Sequence, residues 1–381
     1  MNGEESKALT NILLVLMLDR IQYFLLSFLA IRGIIFSPAL RAMKVVVCIV
    51  LLCGLCICNH RASAQYDSSY YVSYENMITG RFYFSKKYTS LKLRDGTKDY
   101  NMTFRPNTTL NMGVGATYKW ATLNLAYGFD FLNPERGKGD TDYLDLQFHS
   151  YGRKFIIDFF GQFYEGFFLT RNSTNYKGDD YYLRPDLHVN QIGASVQYIL
   201  NHKKFSYRAS FLQNEWQKKS AGTFVFGVEV YGGRIKADST LVPTFVNSTD
   251  AQRDIKLMRF FEIGPNAGYA YTWVIKKHFF LTGSASLSLD FGVNRIVESE
   301  GDQRKSGVSP NTFLRFFGGY NSRKWAISAI YVTNSVSLAT GNIERQIILN
   351  TGNFRVNYIY RFMPGKKSKR ALEVVDEVAP E

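Results

Sequence analysis

One stretch, His278–Gly292, constrains this chain more than any other. Every second residue gives Phe279, Leu281, Gly283, Ala285, Leu287, Leu289 and Phe291, and the interleaved set is Phe280, Thr282, Ser284, Ser286, Ser288, Asp290 and Gly292. A period of two places these sets on opposite faces of a β-strand, one apolar and the other nearly all hydroxyl, glycine and carboxylate. The stretch exceeds the roughly 9–11 residues that a tilted strand needs to cross a bilayer. A soluble sandwich could hold one such strand half-buried, so the issue is whether the chain repeats it.

It does. Leu110, Met112, Val114, Ala116 and Tyr118 form one apolar face. Leu123, Leu125, Tyr127, Phe129 and Phe131 form the next, across a tight turn at Lys119-Trp120. The same face-matching pairs Leu144–Phe148 with Phe155–Phe159 and Ile192–Leu200 with Phe205–Phe211. It also pairs Ile263–Ile275 with the opening stretch, and Leu314–Tyr320 with Trp325–Tyr331. Ile78–Phe84 supplies a first strand and Phe354–Phe362 a last, while Lys86–Pro106 reads mainly as loop, with Thr89–Leu93 as a strand extension.

Longer polar segments alternate with the short turns: Leu132–Thr141, Thr170–Leu187, Arg234–Asp254, Asn294–Pro310 and Ser335–Arg345. That layout is an outer-membrane barrel with its short turns on the periplasmic side. Phe224–Val230 breaks the parity. Either a partner strand lies in Leu241–Asn247, giving about fourteen strands, or an extracellular hairpin forms, leaving about twelve. The expected fold is therefore all-β, an antiparallel up-and-down transmembrane β-barrel of about 12–14 strands.

Composition agrees. Aromatics make up 15% of the 381 residues, yet mean hydropathy is only −0.16, which suits strands apolar on one face. Met43-Lys44, the apolar run Val45–Ile57 and Ala62-Ser63-Ala64 read as a secretory signal. The expected divisions are residues 1–42 as an extension before a mis-assigned start, 43–64 as signal peptide and 65–76 as a periplasmic lead-in. Residues 77–363 are then the barrel and 364–381 a charged tail. A signal anchor is the alternative for the N-terminus. Cys48, Cys53, Cys56 and Cys58 all fall in the signal, so the expected mature chain has no disulfide and no thiol chemistry.

The run Tyr143–Gly166, which contains Tyr-Leu-Asp-Leu-Gln-Phe-His-Ser-Tyr-Gly-Arg-Lys, resembles a bacterial family described as domain of unknown function 4421. So do Lys87–Leu91, Arg184–Leu187, Asn214–Gly222 and Ala270–Ile275. The resemblance spans about Met77–Met363 and implies an uncharacterised outer-membrane-type β-barrel, chiefly from Bacteroidota. It implies no reaction, ligand or site residue.

Strand parity does nominate inward polar residues: Asp145, Gln147 and His149 on one strand, Asp158 and Gln162 on the next. Barrel interiors are normally polar, so a packed hydrogen-bond network is the plainer reading and a lumenal site the sharper one. A turn at Tyr151-Gly152 would set Asp145 opposite Asp158, and two close carboxylates need a cation, for which Arg208, Arg355 and Arg361 are the candidates. A hydrolase would need serine beside histidine, but His149 and Ser150 are strand neighbours and point to opposite faces. Asp140, Asp142, Asp179 and Asp180 form only weak loop candidates for Ca²⁺. No cofactor or metal is expected.

At the short turns, Trp120, Trp273, Trp325, Tyr198, Tyr207 and Tyr320 are expected at the membrane interface, with Lys203, Lys204, Lys276 and Lys277 beside them. The formal charge of +14 is scattered over turns and loops, not one stripe, which argues against nucleic acid. Expected partners are outer-membrane lipids and a periplasmic or envelope protein. The leading function is a non-enzymatic barrel of a Gram-negative-type outer membrane, either a narrow channel or a structural, partner-binding protein. A barrel enzyme acting on lipid or envelope substrates and a secreted soluble sandwich are the alternatives.

Overall fold

The computed structural model describes residues 66–96, 100–119, 121–134, 137–171, 173, 176, 178–243, 245, 255–298, 301–339, 345–365 and 372. The expected start extension, the signal, Trp120 and most of the charged tail lie outside these residues.

Fifteen strands form among the described residues. They are β1 (Tyr71–Ser73), β2 (Ile78–Asp95), β3 (Tyr100–Arg105), β4 (Asn111–Tyr118) and β5 (Ala121–Tyr127). Next come β6 (Asp142–Tyr151), β7 (Phe155–Leu169), β8 (Leu183–Ile199), β9 (Glu215–Gln217) and β10 (Ala221–Lys236). The series ends with β11 (Leu257–Ile275), β12 (Phe279–Glu298), β13 (Gly301–Asn321), β14 (Trp325–Leu338) and β15 (Arg345–Phe362). One short helix, α1 (Tyr207–Ser210), lies between β8 and β9.

The chain closes into an antiparallel β-barrel. Ten strands make the circuit: β2, β3, β7, β8 and β10 through β15, with β15 paired back to β2 along its length. The down-running partner of β2 is broken at Pro106, which has no N–H to give to a ladder. Above the break β3 pairs β2 and β7; below it β4 pairs β2 and carries β5, while β6 pairs β7. Among the described residues β5 and β6 are not paired with each other, which leaves a seam in the lower wall.

Three expectations need correction. Phe205–Phe211 is not a strand: it folds inward as α1 and its flanks, because Phe205 and Tyr207 find an aromatic niche inside the barrel and are 1% and 0% exposed. Its removal from the wall restores the parity, since β10 pairs directly with β8 and β11. Beyond the expected extension Thr89–Leu93, Arg94–Asp95 and Tyr100–Arg105 are strand where loop was expected, and β12 and β13 continue through most of Asn294–Pro310.

The alternation of the opening stretch holds. Leu287 is 64% exposed on the outer face while Ser286 is 2% exposed inside. Higher up, the phase inverts. On β10 the outward residues change from Phe224, Phe226 and Val228 to Arg234 and Lys236, as the inward ones change from Glu229 to the buried Ile235. On β11 and β12 the inward residues likewise end in buried Met258 and Ile296. The outer face is thus apolar below and polar above, while the inside mixes polar groups with the aromatic niche below and turns apolar above.

Replacing Leu287 by Arg puts a charge on the lipid-facing side at mid-strand, at a cost of about 2–4 kcal/mol. Ser286→Ala removes only one hydroxyl from a filled interior. Heat-modifiable gel mobility of refolded protein is expected to show impaired assembly for the first and normal assembly for the second; equal behaviour would refute the facing.

Candidate functional site

The polar middle of the barrel is where chemistry could reside. On β6 the side chains of Asp145, Gln147 and His149 turn inward, as strand parity requires, and β7 brings Asp158 and Gln162 against them. The register differs from expectation. Because the turn is centred two residues later, Asp145 opposes Gln162 and His149 opposes Asp158, so the two acids do not face each other.

Asp158 is fully buried between His149 and Arg315. His149 Nδ1 lies 2.6 Å from Asp158 Oδ1, and Arg315 Nη2 donates to Asp158 Oδ2 at 2.6 Å from β13 across the lumen. The Arg315 guanidinium also lies over the Phe313 ring, 3.6 Å from its centroid. Asp145 is held differently. Tyr164 Oη donates to its carboxylate at 2.5 Å, Gln147 and Gln162 donate to the same oxygen, and Lys87 Nζ stands 3.6 Å from the other.

The expected arginines serve elsewhere. Arg355 stacks on Tyr83, 4.5 Å from the ring centroid. Arg208 lies 3.7 Å from Glu215 and donates to the Lys119 carbonyl. Arg361 donates from Nε to the Gln213 carbonyl at 2.8 Å and from Nη1 to the Ser322 carbonyl at 2.5 Å. Arg315 and Lys87 take the role assigned to these three. Arg315 was legible by parity, since outward Leu314 and Phe316 flank it.

Sequence reasoning also missed a second polar group, on β10 through β13. Glu229, Glu262 and Asp290 are inward and 4%, 0% and 0% exposed. Ser288 Oγ and Asn266 Nδ2 donate to Glu229 at 2.7 and 3.0 Å, and Asn311 Nδ2 donates to Asp290 at 2.7 Å. Glycines make the room: a Cβ at Gly292 would fall 2.1 Å from Glu262 Oε2, and one at Gly264 would fall 2.4 Å from Asp290 Oδ1. The signal was an acid on one strand in register with a glycine on the next, Glu262 with Gly292 and Glu229 with Gly264.

At the short-turn end the chain plugs its own barrel. The residues from Phe205 to Gln217 fold inside, and β9 pairs with β1. Tyr207 Oη donates to Ser284 Oγ at 2.7 Å, Asn321 Nδ2 donates to the Glu215 carbonyl at 3.2 Å, and Arg81 reaches the Leu212 carbonyl at 3.4 Å. Tyr207 is therefore removed from the outer aromatic set. Trp273, Trp325, Tyr198 and Tyr320 do lie on the outer face near the turns, with Tyr320 and Trp325 stacked at 4.5 Å. Lys203, Lys204, Lys276 and Lys277 are exposed on the turns themselves.

Arg315→Met leaves the Asp158 carboxylate buried with His149 alone, a loss expected at about 3–5 kcal/mol. The double variant Asp158→Asn/Arg315→Met is expected to recover much of it. Denaturant midpoints of the two singles and the double test this, and simple additivity would show that the pair is not coupled.

Solved structures with a similar fold include the outer-membrane protease OmpT of Escherichia coli (TM-score 0.34, 9% identity, covering 76% of this chain and 98% of that one). Others are the toluene transporter TodX of P. putida (0.23, 7%, 75% and 90%) and a FadL homologue of Pseudomonas aeruginosa (0.24, 9%, 74% and 90%). No curated protein matches the chain. A family model described as Domain of unknown function (DUF4421) matches residues 65–362, and the chain belongs to that family.

Proposed function

We propose that this envelope barrel is a non-enzymatic protein of a Gram-negative-type outer membrane, self-plugged at its periplasmic end and used to bind partners more than to conduct. The observation that carries this reading is the inward segment from Phe205 to Gln217, tied to the wall by Arg361, Arg81, Asn321 and Tyr207. The upper lumen supports it too, because Leu91, Leu93, Met102, Phe104, Leu187 and Ile235 pack there at no more than 1% exposure. The His149–Asp158 pair fits the same reading. Its carboxylate is neutralised by Arg315, and among the described residues His149 Nε2 meets no hydrogen-bond partner.

The partners proposed are outer-membrane lipids around the wall and a periplasmic or envelope protein at the plug face. Lys203, Lys204, Lys276 and Lys277 offer that face positive charge, while Trp273, Trp325, Tyr198 and Tyr320 suit the interface depth. Quenching of Trp273 and Trp325 by lipids brominated near the headgroup, stronger than by lipids brominated at the bilayer centre, is the expected result; the opposite order would refute the belt.

Planar-bilayer recording tests the plug. The wild-type barrel is expected to show little steady conductance, and Arg361→Ala, which frees the Gln213 and Ser322 carbonyls, to raise it several-fold. Steady conductance of the wild type, unchanged in the variant, would favour an open channel instead.

A further inference from the structure

Four arginines stand in one register row on the outer wall. Arg234 of β10 pairs with Arg259 of β11, Arg259 with Arg295 of β12, and Arg295 with Arg304 of β13. All four are outward by parity, and Arg259, Arg295 and Arg304 are exposed while Arg234 is half-buried. Like charges directly opposed across a sheet destabilise it, so an unrelieved row works against folding. One relief is internal: Asp302 accepts from Arg295 Nε at 2.6 Å. Among the described residues no ion pair joins Arg234, Arg259 or Arg304 to an acid.

The height of the row is as informative as its charge. Four register rows below it, the second row down on the outward face, lies Val230–Ile263–Phe291–Val308, an apolar row of which Ile263, Phe291 and Val308 are exposed. At the arginine row itself the barrel changes phase, with inward residues becoming the apolar Ile235, Met258 and Ile296 immediately above. The row therefore sits where an apolar outer surface gives way to a polar one, at the end away from the short turns. Four strands at about 4.8 Å spacing make it about 14 Å wide, enough to meet more than one phosphate. Guanidinium groups match phosphate oxygens with paired N–H donors, and their aliphatic stems can lie on the apolar wall below.

We propose that this row binds the phosphorylated headgroup of the outer-leaflet glycolipid, lipopolysaccharide, whose acyl chains lie on the apolar row beneath. The proposal rests on the outer-membrane reading given above. Charge complementarity selects the occupant, since a net excess of guanidinium at the hydrocarbon boundary calls for an anion that also brings acyl chains. It is separate from the basic turns at the opposite end, which face the other leaflet.

Binding of purified lipopolysaccharide to the refolded barrel in detergent tests it. The wild type is expected to bind saturably, Arg259→Gln/Arg304→Gln to weaken binding at least tenfold, and all four Gln substitutions to abolish it. Lys276→Gln/Lys277→Gln is expected to bind as the wild type does. Enzymatically dephosphorylated lipopolysaccharide should bind the wild type no better than intact lipid binds the quadruple variant. Unchanged binding by a folded quadruple variant, retention of the dephosphorylated lipid, or equal affinity for phosphatidylglycerol would each overturn the assignment. Heat-modifiable mobility monitors folding throughout. A chain that folds without detergent would instead refute the outer-membrane reading, so the two failures are distinguishable.

Discussion

A wall one strand thick, with hydrocarbon on its outside, has nowhere to send an unpaired backbone N–H or C=O except into another strand. Closure is therefore the condition on which the rest depends. The β15–β2 pairing meets it along the whole of β2, whereas the β3–β7 junction rests on two residue pairs, Phe104 with Leu169 and Arg105 with Phe168. Pro106 explains the asymmetry. By interrupting the strand it sends the upper part, β3, toward β7, and leaves the lower part to carry β4 and β5. The free side of β6 is not left bare, since Lys87 Nζ donates to the Asp145 backbone carbonyl at 2.9 Å. A side chain on β2 thus does part of the work that a neighbouring strand does elsewhere.

Closing a small circuit leaves a narrow lumen, and narrowness decides how charge can be carried inside. Asp158 and Asp145 are accommodated because each meets a cation and further donors within hydrogen-bonding distance. Glu229, Glu262 and Asp290 are accommodated by a different device. Amide and hydroxyl donors from Asn266, Asn294, Asn311 and Ser288 satisfy part of each carboxyl group, and the missing side chains of Gly264 and Gly292 supply the volume. Both solutions need donors from several strands at once, so they fix register as well as charge.

These devices also explain what could and could not be read from the residues alone. The antiparallel barrel, the hairpins around Lys119, Arg153, Lys276 and Arg323, and the inward facing of Asp145, His149 and Asp158 follow from a period of two, which needs no long-range information. The partner of Asp158 was harder. Arg315 is distant in sequence and reaches Asp158 only because the barrel curls β13 round to face β7, so parity could nominate it but not pair it. The plug was illegible for a more specific reason. Phe205, Tyr207, Ala209 and Phe211 alternate with polar residues as a wall strand would, yet they bury against Tyr151 and Phe317 inside the barrel. Alternation reports that one face is apolar; it does not report which apolar surroundings that face will find.

The inversion of phase along β10, β11 and β12 carries that point to its consequence. A strand that is apolar outward below and apolar inward above is written for two solvents. Below the arginine row the outer face is apolar, and the inside holds the polar groups together with the aromatic cluster of Tyr151, Phe205, Tyr207 and Phe317 around the plug. Above it, Leu91, Met102, Leu187, Ile235, Met258 and Ile296 are buried as in a water-soluble protein, within the buried cluster that continues down to the plug. That cluster is also what can hold the sparse β3–β7 junction closed, since Phe104 and Leu169 belong to it and add side-chain burial to two pairs of backbone contacts.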